Sequence, residues 1–362
     1  MVLRSSFLCV LLCGAASVAC AQEAESGFEL RSTISAQSVY SHELTQAPRN
    51  GEPMTAGFQA LLYPTWKLSS HWAVSGVIQV HSRPYFPEEF TSQGYGVKAN
   101  ILNASISYSR FWGKASLVVR AGQLPSAFGS FILRYDPAVN PLTGVPSGYG
   151  YYGGGVNIAG LAGAQVDSTI GPLDMRAQFT NSSPVNPRSV FDRDQYANWA
   201  GGAGYTIRQG LRVGVSAYRG PYLDRHHPFF FPGEAPPRDL PSTGYGMDAQ
   251  WGRGPWNVYG EMAHFQMTYK AIRTFNQHTG YAEARRVLHP RWYAAARAGY
   301  SRPVGYPGSE SYEMAAGFRP TAHQVVKVGY TLQHYSKAGK TPDHGVTIQF
   351  VTNVRAFGLA GR

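Results

Sequence analysis

Arg134, Tyr135 and Asp136 stand together inside residues 124–155, a stretch rich in Gly, Pro and Tyr in which that Arg and that Asp are the only charges. A cation and an anion flanking a phenol can hold a passing ion or polar solute. They can equally form a structural pair on a surface loop. A stretch this poor in charge costs little to desolvate, so it can fold against a wall, and Arg134, Tyr135 and Asp136 would then be the charged point of whatever it narrows. Further charges are spread singly. Arg31, Arg120, Arg176, Arg212, Arg297, Lys327 and Arg355 share one face of alternating segments with Glu29, Asp174, Asp248, Glu261 and Glu313.

Other chemistry is poorly supported. His226 and His227 lie in a Pro- and Phe-rich stretch beside Phe229, Phe230 and Phe231 without an evident third ligand, so a solvated pair is expected there and no metal. The glycine run at 148–155 is followed by no Lys-Ser/Thr pair and opens no helix, which excludes a phosphate cradle. No Gly-x-Ser-x-Gly elbow marks a nucleophile. The sequence predicts no catalytic residue and no cofactor; a hydrolase with a Ser/His/Asp site on a rim is the enzyme alternative.

The elements that must position these residues have a period of two. Phe28, Leu30, Ile34, Ala36 and Tyr40 alternate with Glu29, Arg31, Thr33, Ser35 and Gln37; Leu173, Met175, Ala177 and Phe179 alternate with Asp174, Arg176, Gln178 and Thr180. Such runs are about 9–11 residues long, the length of a tilted strand crossing a membrane. No stretch after Ala21 approaches the roughly 18 apolar residues of a membrane helix. Short connections (68–70, 113–114, 171–172, 208–210, 253–255, 289–291, 320–324) alternate with long ones (41–53, 82–94, 124–155, 181–196, 220–242, 268–279, 303–310, 336–344). The rhythm predicts an all-β, antiparallel transmembrane β-barrel of about sixteen strands, with short periplasmic turns and long extracellular loops. Residues 280–288 are the least regular segment.

Six of seven tryptophans flank the short turns (Trp66, Trp72, Trp112, Trp251, Trp256, Trp292), and Trp199 lies near a long-loop end. Tyr40, Tyr245, Tyr281, Tyr300 and Tyr312 sit beside long loops. Both groups suit aromatic girdles at two membrane boundaries.

The first 21 residues read as a secretory signal peptide: Arg4, then an apolar run from Phe7 to Leu12, then Ala19 and Ala21 before a cut. A lipoprotein, with Cys20 as its modified residue, is the rival. All three cysteines lie in this segment, so residues 22–362 form a barrel without thiols. The net charge of +11 comes without any basic run, which argues against nucleic-acid binding.

Three stretches resemble known patterns. Asp343-x-Gly345-x-x-Ile348-x-Phe350 resembles the final-strand pattern read by the barrel-assembly machinery, with the strand expected to reach Phe357 and 358–362 to form a tail. The long loop at 124–155 resembles in position the third extracellular loop of general porins, which folds inward. Arg120 to Gly129, with Pro125-Ser126-Ala127-Phe128-Gly129, resembles the strand-then-Pro-x-x-Phe-Gly motif of phosphate-selective porin O/P-like proteins. The resemblance implies a homotrimer in outer-membrane lipid, exported through the Sec pathway and passing small hydrophilic solutes. Seven inward cations against five anions suggest a mild anion preference. A structural or adhesion barrel whose lumen the folded loop blocks is the alternative.

Overall fold

Alternation carries through nearly every strand. In the segment from Trp292 to Pro303, Tyr293, Ala295, Arg297 and Gly299 are buried while Trp292, Ala294, Ala296 and Ala298 are exposed. In a computed structural model this pattern closes into one antiparallel barrel of sixteen strands. The structure describes residues 26–46, 53–82, 85, 96–150, 155–186, 196–223, 232–336 and 341–360. The expected signal segment, His226, His227 and the three phenylalanines at 229–231 lie outside the described residues.

The barrel strands are β1 (Gly27–Ser41), β2 (Met54–Lys67), β3 (Trp72–Ser82), β4 (Val97–Trp112), β5 (Ala115–Leu124), β8 (Leu161–Ile170), β9 (Leu173–Thr180), β10 (Asn198–Arg208), β11 (Leu211–Pro221), β12 (Pro241–Arg253), β13 (Trp256–Met267), β14 (Phe275–His289), β15 (Trp292–Pro303), β16 (Ser309–Phe318), β17 (Gln324–Tyr335) and β18 (Asp343–Ala360). Two short strands, β6 (Tyr149–Gly150) and β7 (Val156–Asn157), pair in parallel inside the loop between β5 and β8. Each barrel strand bonds to its sequence neighbour, and β1 closes the ring on β18 from Gly27↔Ala360 to Ser41↔Gly345. Closure matters because an unpaired strand edge cannot be satisfied by hydrocarbon.

Two sequence expectations need correction. β18 continues to Ala360 rather than ending at Phe357, because β1 pairs with it along its whole length. The connection expected at 268–279 is shorter, since β14 begins at Phe275. Residues 280–288 belong to β14, where Glu283 and Arg285 face inward, and the irregularity expected there is a register shift between Val287 and His289.

The turns follow from local chemistry. Gly113 and Gly171 open two-residue connections with φ of 54° and 58°, a conformation that costs glycine no Cβ clash. All seven tryptophans face outward, six next to turns and Trp199 at the loop end. Outward positions between them carry Val215, Met247, Met314, Ile348 and Phe350, all exposed. Inward positions carry Gln59, Gln79, Gln165, Gln178, Glu283 and Gln349, all buried. Apolar groups outside and polar groups inside invert the usual globular pattern, as a barrel surrounded by lipid requires.

Candidate constriction inside the barrel

The connection between β5 and β8 lies within the barrel, held by side chains that reach it from the wall. Its first anchor is aromatic. Phe128 is fully buried, with its ring edge-on to Tyr218 at 5.2 Å and 5.6 Å from Phe265. Gln178 accepts a hydrogen bond from the Ala127 N–H (3.0 Å) and donates to the Pro125 carbonyl (2.8 Å). Gly129 has φ +79°, and a Cβ there would strike the Tyr149 hydroxyl and the Glu261 carboxylate. Only glycine fits where the chain turns so close to the wall.

Beyond this the loop becomes ionic. Arg134 is buried; it donates to Glu283 Oε1 at 2.7 Å and to the Tyr281 hydroxyl at 2.7 Å, with its guanidinium 3.8 Å from the Tyr259 ring centroid. Burial works against its charge, but the facing Tyr281 and Glu283 outweigh that and hold the guanidinium above its ordinary pKa. Glu283 also receives Arg297 at 3.2 Å, and Arg297 reaches Glu313 at 2.5 Å. Glu313 in turn accepts the backbone N–H groups of Thr143 (2.8 Å) and Gly144 (2.9 Å). One alternating chain of charges therefore joins the loop to β14, β15 and β16.

Tyr135 and Asp136 bind the opposite wall. Gln59 and Gln79 donate to the Tyr135 hydroxyl at 3.0 and 2.5 Å. Asp136 accepts from Thr33 (2.9 Å), Tyr63 (2.5 Å) and the Ala138 N–H (2.7 Å). Arg134 and Asp136 thus serve different walls. Tyr85, from the connection after β3, also reaches inside: its hydroxyl bonds Ser35 at 2.8 Å and accepts from Gln349 at 3.2 Å. Burial pushes its phenol up to about 12. Lys327 then ties down the middle of the loop, donating to the carbonyls of Pro137 (2.6 Å), Asn140 (2.8 Å) and Leu142 (3.2 Å) and to Gln349 (2.9 Å).

Glu261 is satisfied without a cation. It accepts from Ser130 N and Oγ (3.3 and 3.0 Å), from Tyr281 (3.3 Å) and from the Tyr149 hydroxyl. Burial and the neighbouring carboxylate hold the Tyr149 phenol well above its ordinary pKa, so it stays a donor. Tyr281, expected in an outer aromatic girdle, instead faces inward and is buried, because its place in β14 shares the parity of Glu283.

The remaining inward charges lie on the barrel wall. Arg120 pairs with Asp167 at 2.5 Å. Arg212 lies between Asp174 (2.6 Å) and Asp248 (2.8 Å), in a slot left by Gly204 and Gly214. Glu29 draws Arg355 to 3.3 Å and Arg31 to 3.9 Å on a solvated rim near the turn end. Arg176 faces inward and makes no hydrogen bond or ion pair among the described residues. At the end of the chain Ile348 and Phe350 are exposed on the outer face, and Gly345 pairs with Ser41. Asp167, Glu283, Arg285 and Arg319 were absent from the sequence-based inward set. Asp167 was recoverable from alternation; Glu283 and Arg285 lie in the irregular segment 280–288, and Arg319 is in a turn, where alternation gives no signal.

Neither a family model nor a curated protein matches this chain. Solved structures match it over most of its length. An anion-selective porin from Comamonas acidovorans has a TM-score of 0.63 at 10% identity, covering 91% of this chain and 100% of that one. OmpF of Salmonella typhi, in complex with daunomycin, has a TM-score of 0.60 at 10% identity, covering 90% and 97%. OmpT, an outer membrane protein of Vibrio cholerae in trimer form, has a TM-score of 0.58 at 9% identity, covering 91% and 100%. The fold of this chain is that of the bacterial outer-membrane porins: a closed, sixteen-stranded antiparallel barrel.

Proposed function

We propose that this protein is an outer-membrane porin, a passive diffusion channel for small hydrophilic solutes whose lumen is narrowed by the loop between β5 and β8. The observation that carries the reading is a polar-lined, apolar-jacketed barrel with that loop bonded to its inner wall through Arg134, Tyr135, Asp136 and Lys327. Arg134 then shapes the constriction as a neutralised anchor rather than as an open charge. The barrel sits in outer-membrane lipid after Sec export, is inserted through its β18 pattern by the assembly machinery, and forms a homotrimer, as in the trimer form of the Vibrio cholerae protein. Liposome swelling in sugars of graded size tests it: swelling should fall steeply with sugar size and rise in variants that release the loop.

A second reading has its own observation. Loop residues two apart reach opposed walls, Arg134 to β14 and Asp136 to β1 and β2, so the loop spans the lumen rather than following one side. A barrel closed in this way would be a structural or adhesion element, and its liposomes would not swell. A mild anion preference does not follow from a simple count of inward charges, because most inward cations are paired. It must reside in those that are not.

A further inference from the structure

The outer surface of the barrel is charged unevenly between its two ends. The short turns at 68–71, 113–114, 171–172, 209–210, 254–255, 290–291 and 319–323 contain no acidic residue. Arg110, Lys114, Arg208, Arg253, Arg286 and Arg291 are exposed in or near them. The acids closest to the turns, Glu29 and Asp174, point inward and are held by Arg355 and Arg212. At the loop end the outer wall has its own carboxylate, Glu310, which takes Arg302 at 3.1 Å.

Two of the turn-end cations are organised around a ring. Arg253, Trp256 and Arg286 are successive cross-strand partners on β12, β13 and β14, so their side chains share the outer face. The Arg286 guanidinium lies 5.2 Å from the Trp256 ring centroid. Neither arginine makes a hydrogen bond or ion pair among the described residues. Neighbouring strands are about 4.8 Å apart, which puts the two arginine backbones about 10 Å from each other, within reach of one shared ligand.

Beyond this row the wall is recessed. Outward positions elsewhere carry Met247, Ile348 and Phe350. On β14 and β15 they carry alanines in register: Ala294 beside Arg286, then Ala284 with Ala296 and Ala282 with Ala298. Met314 and Tyr312 of β16 stand along one side of this trough, and Val258 of β13 along the other. The trough stops where the Tyr300 ring covers Gly280 and leaves no room for a Cβ. Arg286 and Gly280 are separated by about 20 Å of strand, which at a tilt of about 40° spans roughly 15 Å of depth, one leaflet.

Arginine beside tryptophan at a membrane boundary suits a negatively charged headgroup. A second copy of this chain matches the row poorly, because its own turns and turn-end outer wall hold no described carboxylate to answer the arginines. An anionic lipid brings both a charge for the arginines and a chain for the alanines. We infer that Arg253 and Arg286, on either side of Trp256, seat the headgroup of an anionic phospholipid from the leaflet at the turn end, with one acyl chain in the alanine trough. The site rests on the barrel's place in a bilayer and not on conduction.

Native mass spectrometry of the full-length protein folded in detergent tests this, with dioleoyl phosphatidylglycerol and dioleoyl phosphatidylcholine offered in equal amounts. The two lipids share their phosphate and chains and differ in net charge. Wild type should retain phosphatidylglycerol over phosphatidylcholine by at least tenfold, each arginine contributing about fivefold. Arg253→Gln/Arg286→Gln should hold the two lipids nearly equally. Ala296→Phe fills the trough and should lower retention of both lipids while leaving the charge preference. Arg110→Gln, an exposed outer-face change on β4 away from the trough, should behave as wild type does. Should the double variant fail to fold, Arg253→Gln alone carries the test, since its side chain bonds nothing among the described residues. Equal retention of both lipids by wild type, or a preference unchanged in the folded arginine variants, overturns the site. A changed oligomer in Ala296→Phe with lipid retention intact assigns the trough to a subunit contact and overturns it as well. A protein that conducts but retains both lipids equally defeats this inference and leaves the channel intact. Selective retention through these arginines without conductance defeats the channel and leaves the site.

Discussion

Arg134 and Glu283 meet at 2.7 Å across 149 residues of chain, joining the centre of a loop to the inner wall of a barrel. Both side chains are shielded from solvent, and Arg297 lies on the far side of the same carboxylate. The pair is therefore a structural clasp, and it sets how the loop sits in the lumen.

Removing the clasp has a definite cost. Breaking a buried pair by deleting one partner typically costs about 3–5 kcal/mol. Glu283 keeps Arg297, so Arg134→Ala should fall near the lower figure, about 3 kcal/mol. Urea unfolding in lipid vesicles measures it, and unchanged stability would show that the charge is not shielded as described. Arg134→Lys should recover only part, because a lysine cannot serve Glu283 and Tyr281 with one rigid fork.

Lys327→Met removes the donor to three loop carbonyls and leaves those acceptors buried without a partner. An unsatisfied buried acceptor costs about 1–3 kcal/mol. Some of this is recovered as the loop relaxes. Limited proteolysis of the loop should quicken in this variant while the barrel core stays resistant; equal protection would argue against Lys327 as the tether.

Gly129→Ala puts a Cβ into a left-handed backbone and against the Tyr149 hydroxyl and Glu261. The backbone term alone is about 1–2 kcal/mol, and the contact adds to it. A lower midpoint for unfolding and brighter tyrosine fluorescence from a loosened Tyr149 are expected. A variant as stable as wild type would mean that the loop does not turn at Gly129 as described.

Alkaline pH gives a separate handle. Burial raises the Tyr85 phenol from 10.0 to about 12 in the folded protein. A raised folded value means that the native state holds its proton longer than the unfolded chain. The stabilisation is complete below pH 10 and is lost as pH climbs through 12. The loss should be on the order of 2–3 kcal/mol, and Tyr85→Phe should flatten the curve over that window. An identical pH dependence in both proteins would refute the burial of Tyr85.

Much of this was legible in the residues. Alternation gave the strands and faces, and the turn-and-loop rhythm gave their number. Low charge in 124–155 pointed to a loop able to enter the barrel. What stayed hidden was pairing at a distance. Nothing near Arg134 in the chain announces Glu283, and the nearby Asp136 suggested a local pair. Tyr281 lies close to a loop in sequence, yet its strand parity turns it inward.

Single-channel recording of the wild-type protein in planar bilayers tests the central claim most directly. A channel narrowed by this loop should give discrete, ohmic conductance steps that grow when Arg134→Ala or Lys327→Met releases the loop. A correctly folded protein that gives no conductance, in wild type and in both variants, would contradict it.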